Sequence, residues 1–206
     1  PYWQKPLLLG AKVVVHSATK FLSGHGDVVA GVAVSKDQQY INKLRYGFMC
    51  ELGSPLSPFN SWLLLRGMKT LGIRMEKHAE NAMLLANYLQ EHDKVEHVCY
   101  PGLSDHEGHE IANEQMMGYG AIISFTVKGG AEKAKELLTK FKMCKLAVSL
   151  GDAETLVEHP ASMTHRDYDK ESLEEFGLSD DMVRVAVGLE DSKDIIIDFY
   201  EAFEQI

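Results

Sequence analysis

The sequence predicts an α/β fold with helices layered on a sheet, and three observations carry that expectation. Short β-branched or apolar runs alternate along the chain with segments of helical periodicity, as strands and helices do in layered folds. Val13-Val14-Val15 is the kind of run used by a parallel strand covered on both faces. That run ends in Ser17-Ala18-Thr19-Lys20, with Asp27-Val28-Val29-Ala30-Gly31 close behind. Polar residues thus fall at the carboxyl end of a strand, where α/β sheets place their ligands, and Lys20 is expected to point into a crevice.

Taken in order, residues 1 to about 60 read as strand, turn, strand and a short helix near 38–48, closed by a Gly/Ser/Pro-rich loop over 53–58. From Phe59 a long amphipathic pattern runs through Leu63, Leu64, Leu65, Met68 and Leu71 to Met75, Ala79, Ala82, Leu85, Ala86 and Leu89, with Gly67 and Gly72 as weak points that can kink it. Residues 95–100 form a short strand ended by Pro101-Gly102. Then follow a strand over 121–128, a helix over 131–141 opened by Gly129-Gly130, short strands over 146–150 and 182–187, and a final helix over 192–203. No internal repeat or low-complexity run interrupts this order.

Composition bounds the function. With 206 residues, 45% hydrophobic and 25% charged, the chain resembles an average soluble domain with a real core. A net charge of -9 argues against nucleic acid or an anionic membrane surface as partner, since both demand clustered Lys and Arg. No apolar run approaches the roughly 20 residues that span a bilayer. Cys50, Cys99 and Cys144 have spacings that fit neither a zinc ribbon nor a disulfide scaffold, so a reducing cytoplasm is the simple expectation. No metal site is expected: His106 and His109 are three apart where the zincin pattern wants four, and they read as a solvated loop running into a helix. His159 and His165 read as hydrogen-bonded structural residues.

Two residues stand out chemically. An unpaired ammonium is costly to bury, and condensation of Lys20 with an aldehyde as a Schiff base would resolve that cost, with Ser17 and Thr19 able to hydrogen-bond a phosphate beside it. An ordinary solvated lysine after an edge strand is the alternative. Arg184, in Val183-Arg184-Val185, is a guanidinium between β-branched residues and needs an anion, either the α-carboxylate of an amino acid or an internal Glu or Asp.

Three ordered blocks bear on that choice. They are Ser17-Ala18-Thr19-Lys20 with Gly24-His25 and the Asp27 to Gly31 run, then Ser149-Leu150-Gly151 through Glu158-His159-Pro160-Ala161-Ser162-Met163-Thr164-His165, and then Val183-Arg184-Val185-Ala186-Val187-Gly188-Leu189-Glu190-Asp191. Together they resemble the Cys/Met-metabolism family of pyridoxal-phosphate enzymes. The resemblance implies a fold type I, aminotransferase-like architecture, with residues 1–58 as the C-terminal part of the cofactor-binding domain and 59–206 as the hinge helix and C-terminal substrate-side domain. It covers only the second half of such an enzyme. The family's N-terminal arm, phosphate loop, stacking tyrosine, pyridine-nitrogen aspartate and the tyrosine that protonates the leaving sulfur all belong to the first half. A fragment, a processed product or an incompletely given chain is therefore expected.

The same resemblance makes Lys20 the Schiff-base and proton-carrying lysine and Ser17 and Thr19 the phosphate ligands. It makes Arg184 the carboxylate partner, with Ser149 and Leu150 beside that carboxylate and Thr155 near the substrate; Ser149 can alternatively cap the Gly151-Asp152 turn, and Thr155 can simply pack. Val148 stands where cystathionine-cleaving members tend to carry an acid, and Ala147-Val148-Ser149-Leu150-Gly151-Asp152-Ala153-Glu154 looks most like the methionine γ-lyase branch. The implied reaction is α,γ-elimination of L-methionine to methanethiol, 2-oxobutanoate and ammonia, in a homotetramer built as a dimer of dimers. Cystathionine γ-lyase or a homoserine-ester sulfhydrylase is the alternative within the family. A non-catalytic fragment lacking the N-terminal half of the site is the alternative outside it.

Overall fold

A computed structural model of the chain describes all 206 residues, the side chains of Lys170 and Glu174 apart. Strand β1 (Val13–Ser17) pairs with β2 (Gly31–Ser35) as an antiparallel two-stranded sheet, Val13 opposite Ser35 and Ser17 opposite Gly31. This corrects the expectation of a parallel strand covered on both faces. Within this chain β1 finds only β2 as a partner, and Val15 is left 75% exposed. A helical stretch follows, α1 (Gln38–Lys43), a π-helical turn (Leu44–Phe48) and α2 (Met49–Leu52), four residues longer than expected. Asp37 caps α1 by accepting from the amides of Gln39 and Tyr40.

The long pattern from Phe59 is two helices, α3 (Pro58–Met68) and α4 (Leu71–Gln90), not one kinked helix. Ser57 caps α3 with Pro58 in the first turn, which fixes its start. The break falls at Lys69-Thr70, where the Thr70 hydroxyl donates back to the Gly67 carbonyl. Gly67 serves contact instead: a Cβ there would lie 2.3 Å from the Ser23 carbonyl oxygen, so α3 presses directly on the turn that follows Lys20.

Beyond α4 come β3 (Val95–Cys99), α5 (His109–Gln115), β4 (Ile122–Val127), α6 (Ala131–Leu138), β5 (Lys145–Leu146), β6 (Leu156–Glu158), α7 (Lys170–Glu175), β7 (Met182–Ala186) and α8 (Ser192–Phe203). The sheet order is β3-β4-β7-β6-β5, antiparallel except for β5 beside β6. The strand expected over 146–150 shrinks to Lys145–Leu146, because residues after Leu146 leave the sheet to reach the turn of Lys20. The short β6 and α7 were not expected, and α6 ends before Phe141.

Helices α4, α6 and α8 cover one face of this sheet. Alternation along the strands sends Ile123, Phe125 and Val127 of β4, Val183 and Val185 of β7 and Val157 of β6 into that core. Ile195, Phe199, Ala202 and Phe203 give α8 one apolar stripe against it, each large side chain contributing about 1.5–3 kcal/mol by burial. The same alternation turns Arg184 and Glu158 to the opposite face, where the turn of Lys20 lies.

Candidate active site

The site is built where that turn meets the second face of the sheet. After β1 the chain reverses, with the amides of Ala18 and Thr19 both donating to the Ala30 carbonyl at 2.8 and 3.1 Å. The Thr19 hydroxyl accepts from the Ala30 amide at 2.9 Å and donates to its carbonyl at a long 3.3 Å. Ser17 is exposed at the end of β1. The turn closes with the Gly24 amide on the Lys20 carbonyl at 2.9 Å.

Arg74 of α4 holds this turn from beneath. It is buried, and its guanidinium donates to the carbonyls of Phe21 (2.9 Å) and Gly67 (3.0 Å) and to the Thr70 hydroxyl (3.1 Å). Gly24 has φ +70°, and a Cβ on it would fall 1.8 Å from Arg74 Nη1, so only glycine lets the guanidinium lie there.

From the other side the loop after β5 packs on the same turn. Gly151, at φ +78°, approaches so closely that a Cβ would sit 2.6 Å from the Phe21 amide nitrogen. That approach brings Ser149 to Lys20: Lys20 Nζ donates to Ser149 Oγ at 3.2 Å. The Ser149 carbonyl in turn accepts from Arg184 Nη2 at 3.0 Å, and the Val148 carbonyl lies 3.5 Å from the same nitrogen. Ser149 thus joins an amine to a guanidinium. Leu150 is half-buried beside it, and the Val148 side chain is 56% exposed at its edge.

Arg184 has found an internal anion. Register sets it opposite Glu158 of β6, and Nη1 lies 2.8 Å from Glu158 Oε1, with side-chain exposures of 18% and 1%. Thr164 Oγ1 also donates to Oε1, at 3.2 Å. Glu158 Oε2 and Arg184 Nε are buried without a hydrogen-bond partner. Burial pushes the Glu158 carboxyl up, opposed by Arg184, Thr164, His165 and Lys20, and burial pushes the Arg184 guanidinium down, opposed by Glu158. Both partners show desolvation outweighing attraction, as expected of a buried ion pair.

Thr155 is fully buried, and its hydroxyl is committed to Glu190 Oε2 (2.8 Å) and to the Gly188 amide (2.9 Å), so it locks the turn after β7. The histidines hold loops: His159 bonds the Ser162 hydroxyl and the Asp180 carbonyl, and His109 bonds the Pro101 carbonyl. A cavity of about 470 Å³ lies away from Lys20, over the β1–β2 pair and lined by Leu7, Val14, Val32 and Val34 among others.

Sequence reasoning singled out Lys20, Ser149 and Arg184, and the structure brings these three together. It passed over Glu158 and Arg74. An acid in Leu156-Val157-Glu158 signals an ion pair only once β6 is known to lie beside β7. Arg74 gives no sequence signal, since one arginine on a long helix is ordinary.

Comparison with known proteins matches the family described as Cys/Met metabolism PLP-dependent enzyme over residues 1–204. An L-methionine gamma-lyase of Fusobacterium nucleatum subsp. nucleatum is 52% identical over all of this chain and 52% of its own length. Among solved structures, metB from Corynebacterium glutamicum superposes with a TM-score of 0.95 at 42% identity, covering 100% of this chain and 52% of that one. A cystathionine gamma-lyase from Lactobacillus plantarum, complexed with L-serine, gives 0.94 at 40% identity, covering 100% and 54%. The chain spans about half the length of the curated relatives it matches.

Proposed function

The chain belongs to the Cys/Met-metabolism family of pyridoxal-phosphate-dependent enzymes, and from that premise we propose that the protein carrying it converts L-methionine to methanethiol, 2-oxobutanoate and ammonia by α,γ-elimination. One observation carries the reading: Lys20 Nζ, Ser149 and the Arg184 guanidinium form a continuous chain of contacts. An amine able to react and a cation able to grip a carboxylate thus flank one serine, as an amino-acid substrate requires.

The residues present fit pyridoxal phosphate. Lys20 is half-buried and bonded to a neutral hydroxyl, so its nitrogen remains available for covalent attachment. Ser17 offers an exposed hydroxyl to a phosphate, and Thr19 can join it by giving up its long bond to the Ala30 carbonyl. The bound cofactor supplies an electron sink that this chain's side chains lack. Lys20 then moves protons at the substrate α- and β-carbons, Ser149 Oγ orients the lysine, and Arg184 holds the α-carboxylate by its unused N–H groups.

Val148 decides the leaving group in this reading. Its apolar side chain beside Ser149 suits a thioether methyl and offers no charge to the distal ammonium of cystathionine. Relative kcat/KM for methionine and cystathionine, measured on the whole protein, tests this. Methionine is expected to be the better substrate; a strong preference for cystathionine, or sulfhydrylation of a homoserine ester, would replace the methionine assignment by that activity.

The protein is proposed to act in the cytoplasm as a homotetramer, a dimer of dimers. Among the described residues no helix is long and apolar enough to cross a membrane. Exposed Phe48, Met49, Leu52, Phe59, Trp62 and Leu65, from the end of the π-helical turn through α2 and α3, support association through this region.

A further inference from the structure

Arg184 meets an anion of this chain before any substrate arrives. Its guanidinium carries five N–H groups, of which Nη1 serves Glu158 and Nη2 serves the Ser149 carbonyl. Nη1 keeps a second hydrogen, the second on Nη2 has only the long 3.5 Å contact with the Val148 carbonyl, and Nε has no partner. A carboxylate that approaches therefore meets a pair with no net charge instead of a free cation.

Glu158 cannot step aside to make way. It is fully buried, its backbone is paired with β7, and Oε1 is shared between Arg184 and Thr164. Oε2, in contrast, is buried with no donor. A pair serving only the fold gains nothing from that orphaned oxygen, since apolar residues of similar volume avoid the cost of burying two charges. Lys20 and His165 are the other charged or titratable groups that act on this carboxyl.

We propose that Glu158 is the resident counter-charge of the carboxylate site, weakening Arg184's hold on an α-carboxylate so that amino-acid substrate and 2-oxo-acid product exchange readily. This rests on the reading of Arg184 as the substrate's carboxylate partner. Glu158 is a positioning and tuning residue here, touching Arg184 and not the substrate.

The test uses the full-length protein with pyridoxal phosphate bound and two ligands that carry no γ leaving group and so cannot be eliminated, L-norleucine and n-pentylamine, which differ only by the carboxylate. In Glu158→Gln, which keeps shape and removes charge, the Kd for norleucine is expected to fall about tenfold (about 1.4 kcal/mol) while that for pentylamine stays unchanged. Glu158→Asp, which draws the charge back by one methylene, is expected to tighten norleucine by a smaller factor, and it carries the test if the Gln variant does not fold. Norleucine binding that is unchanged or weaker in the folded variants, or equal changes for both ligands, overturns the proposal. A wild-type protein that does not prefer norleucine over pentylamine overturns instead the reading of Arg184 on which it rests.

Discussion

Glu158 Oε1 lies 2.8 Å from Arg184 Nη1 across neighbouring strands, and the lysine-bearing turn closes over the pair through Ser149. The ion pair sits on the sheet face away from the helices, so its cost is borne at the site and not in the apolar core. Arg184→Met leaves a buried carboxylate alone and is expected to destabilise the protein by about 3 kcal/mol in urea denaturation. Arg184→Met with Glu158→Met should recover most of that loss, because two apolar side chains need no partner. A double variant no more stable than Arg184→Met alone would contradict this and show that the buried ion pair stabilises the fold on balance.

Gly24 and Arg74 should couple. Alanine at 24 meets both the φ of +70° and the guanidinium 1.8 Å away, so Gly24→Ala is expected to cost about 1–3 kcal/mol. Arg74→Ala relieves only the contact. Melting temperatures of both singles and the double should show the double less destabilised than additivity demands. Strict additivity would mean that Arg74 does not hold the turn.

His78 should tie stability to pH. It is fully buried, with Nδ1 2.7 Å from the Val187 carbonyl and its ring edge-on to Phe21. Burial pushes its pKa below the ordinary 6.5, Arg74 adding to this while the Val187 carbonyl, Glu190 and Gly188 oppose it. As pH falls below about 6.5 the unfolded chain binds a proton that the folded chain refuses, so stability present above that pH is lost through the acid side. Denaturation midpoints between neutral pH and pH 5 should fall less steeply in His78→Gln, although His16 and His92, also lowered by burial, keep some slope. Equal slopes would remove His78 from the account.

Cys144 should be silent to thiol reagents until the protein unfolds. It is buried under the sheet, and burial, with Asp198 second, pushes its thiol far up, leaving almost no thiolate at neutral pH. Peptide mapping after iodoacetamide should find it modified only in denaturant. Modification of the native protein at Cys144 would mean that this side of the core opens.

How far the sequence foretold this arrangement depended on the range of the forces involved. α8 was legible to its ends because the Ile195, Phe199, Ala202 and Phe203 stripe and the Asp191 cap are local. Lys20 and Arg184 were legible as residues that need partners, and motif blocks supplied their proposed roles. Their actual partners were not legible. Glu158 becomes visible only through the β6–β7 register, and three residues are too few for a strand signal. The pairing of β1 failed for the complementary reason: Val13 to Val15 states what covering such a strand wants, not what this chain provides.

Whether Lys20 carries pyridoxal phosphate is read by borohydride reduction of the full-length protein followed by peptide mass mapping. One phosphopyridoxyl adduct is expected, on Lys20, with loss of the visible absorption band in Lys20→Ala. An adduct confined to another lysine, or a band that persists in Lys20→Ala, would contradict it.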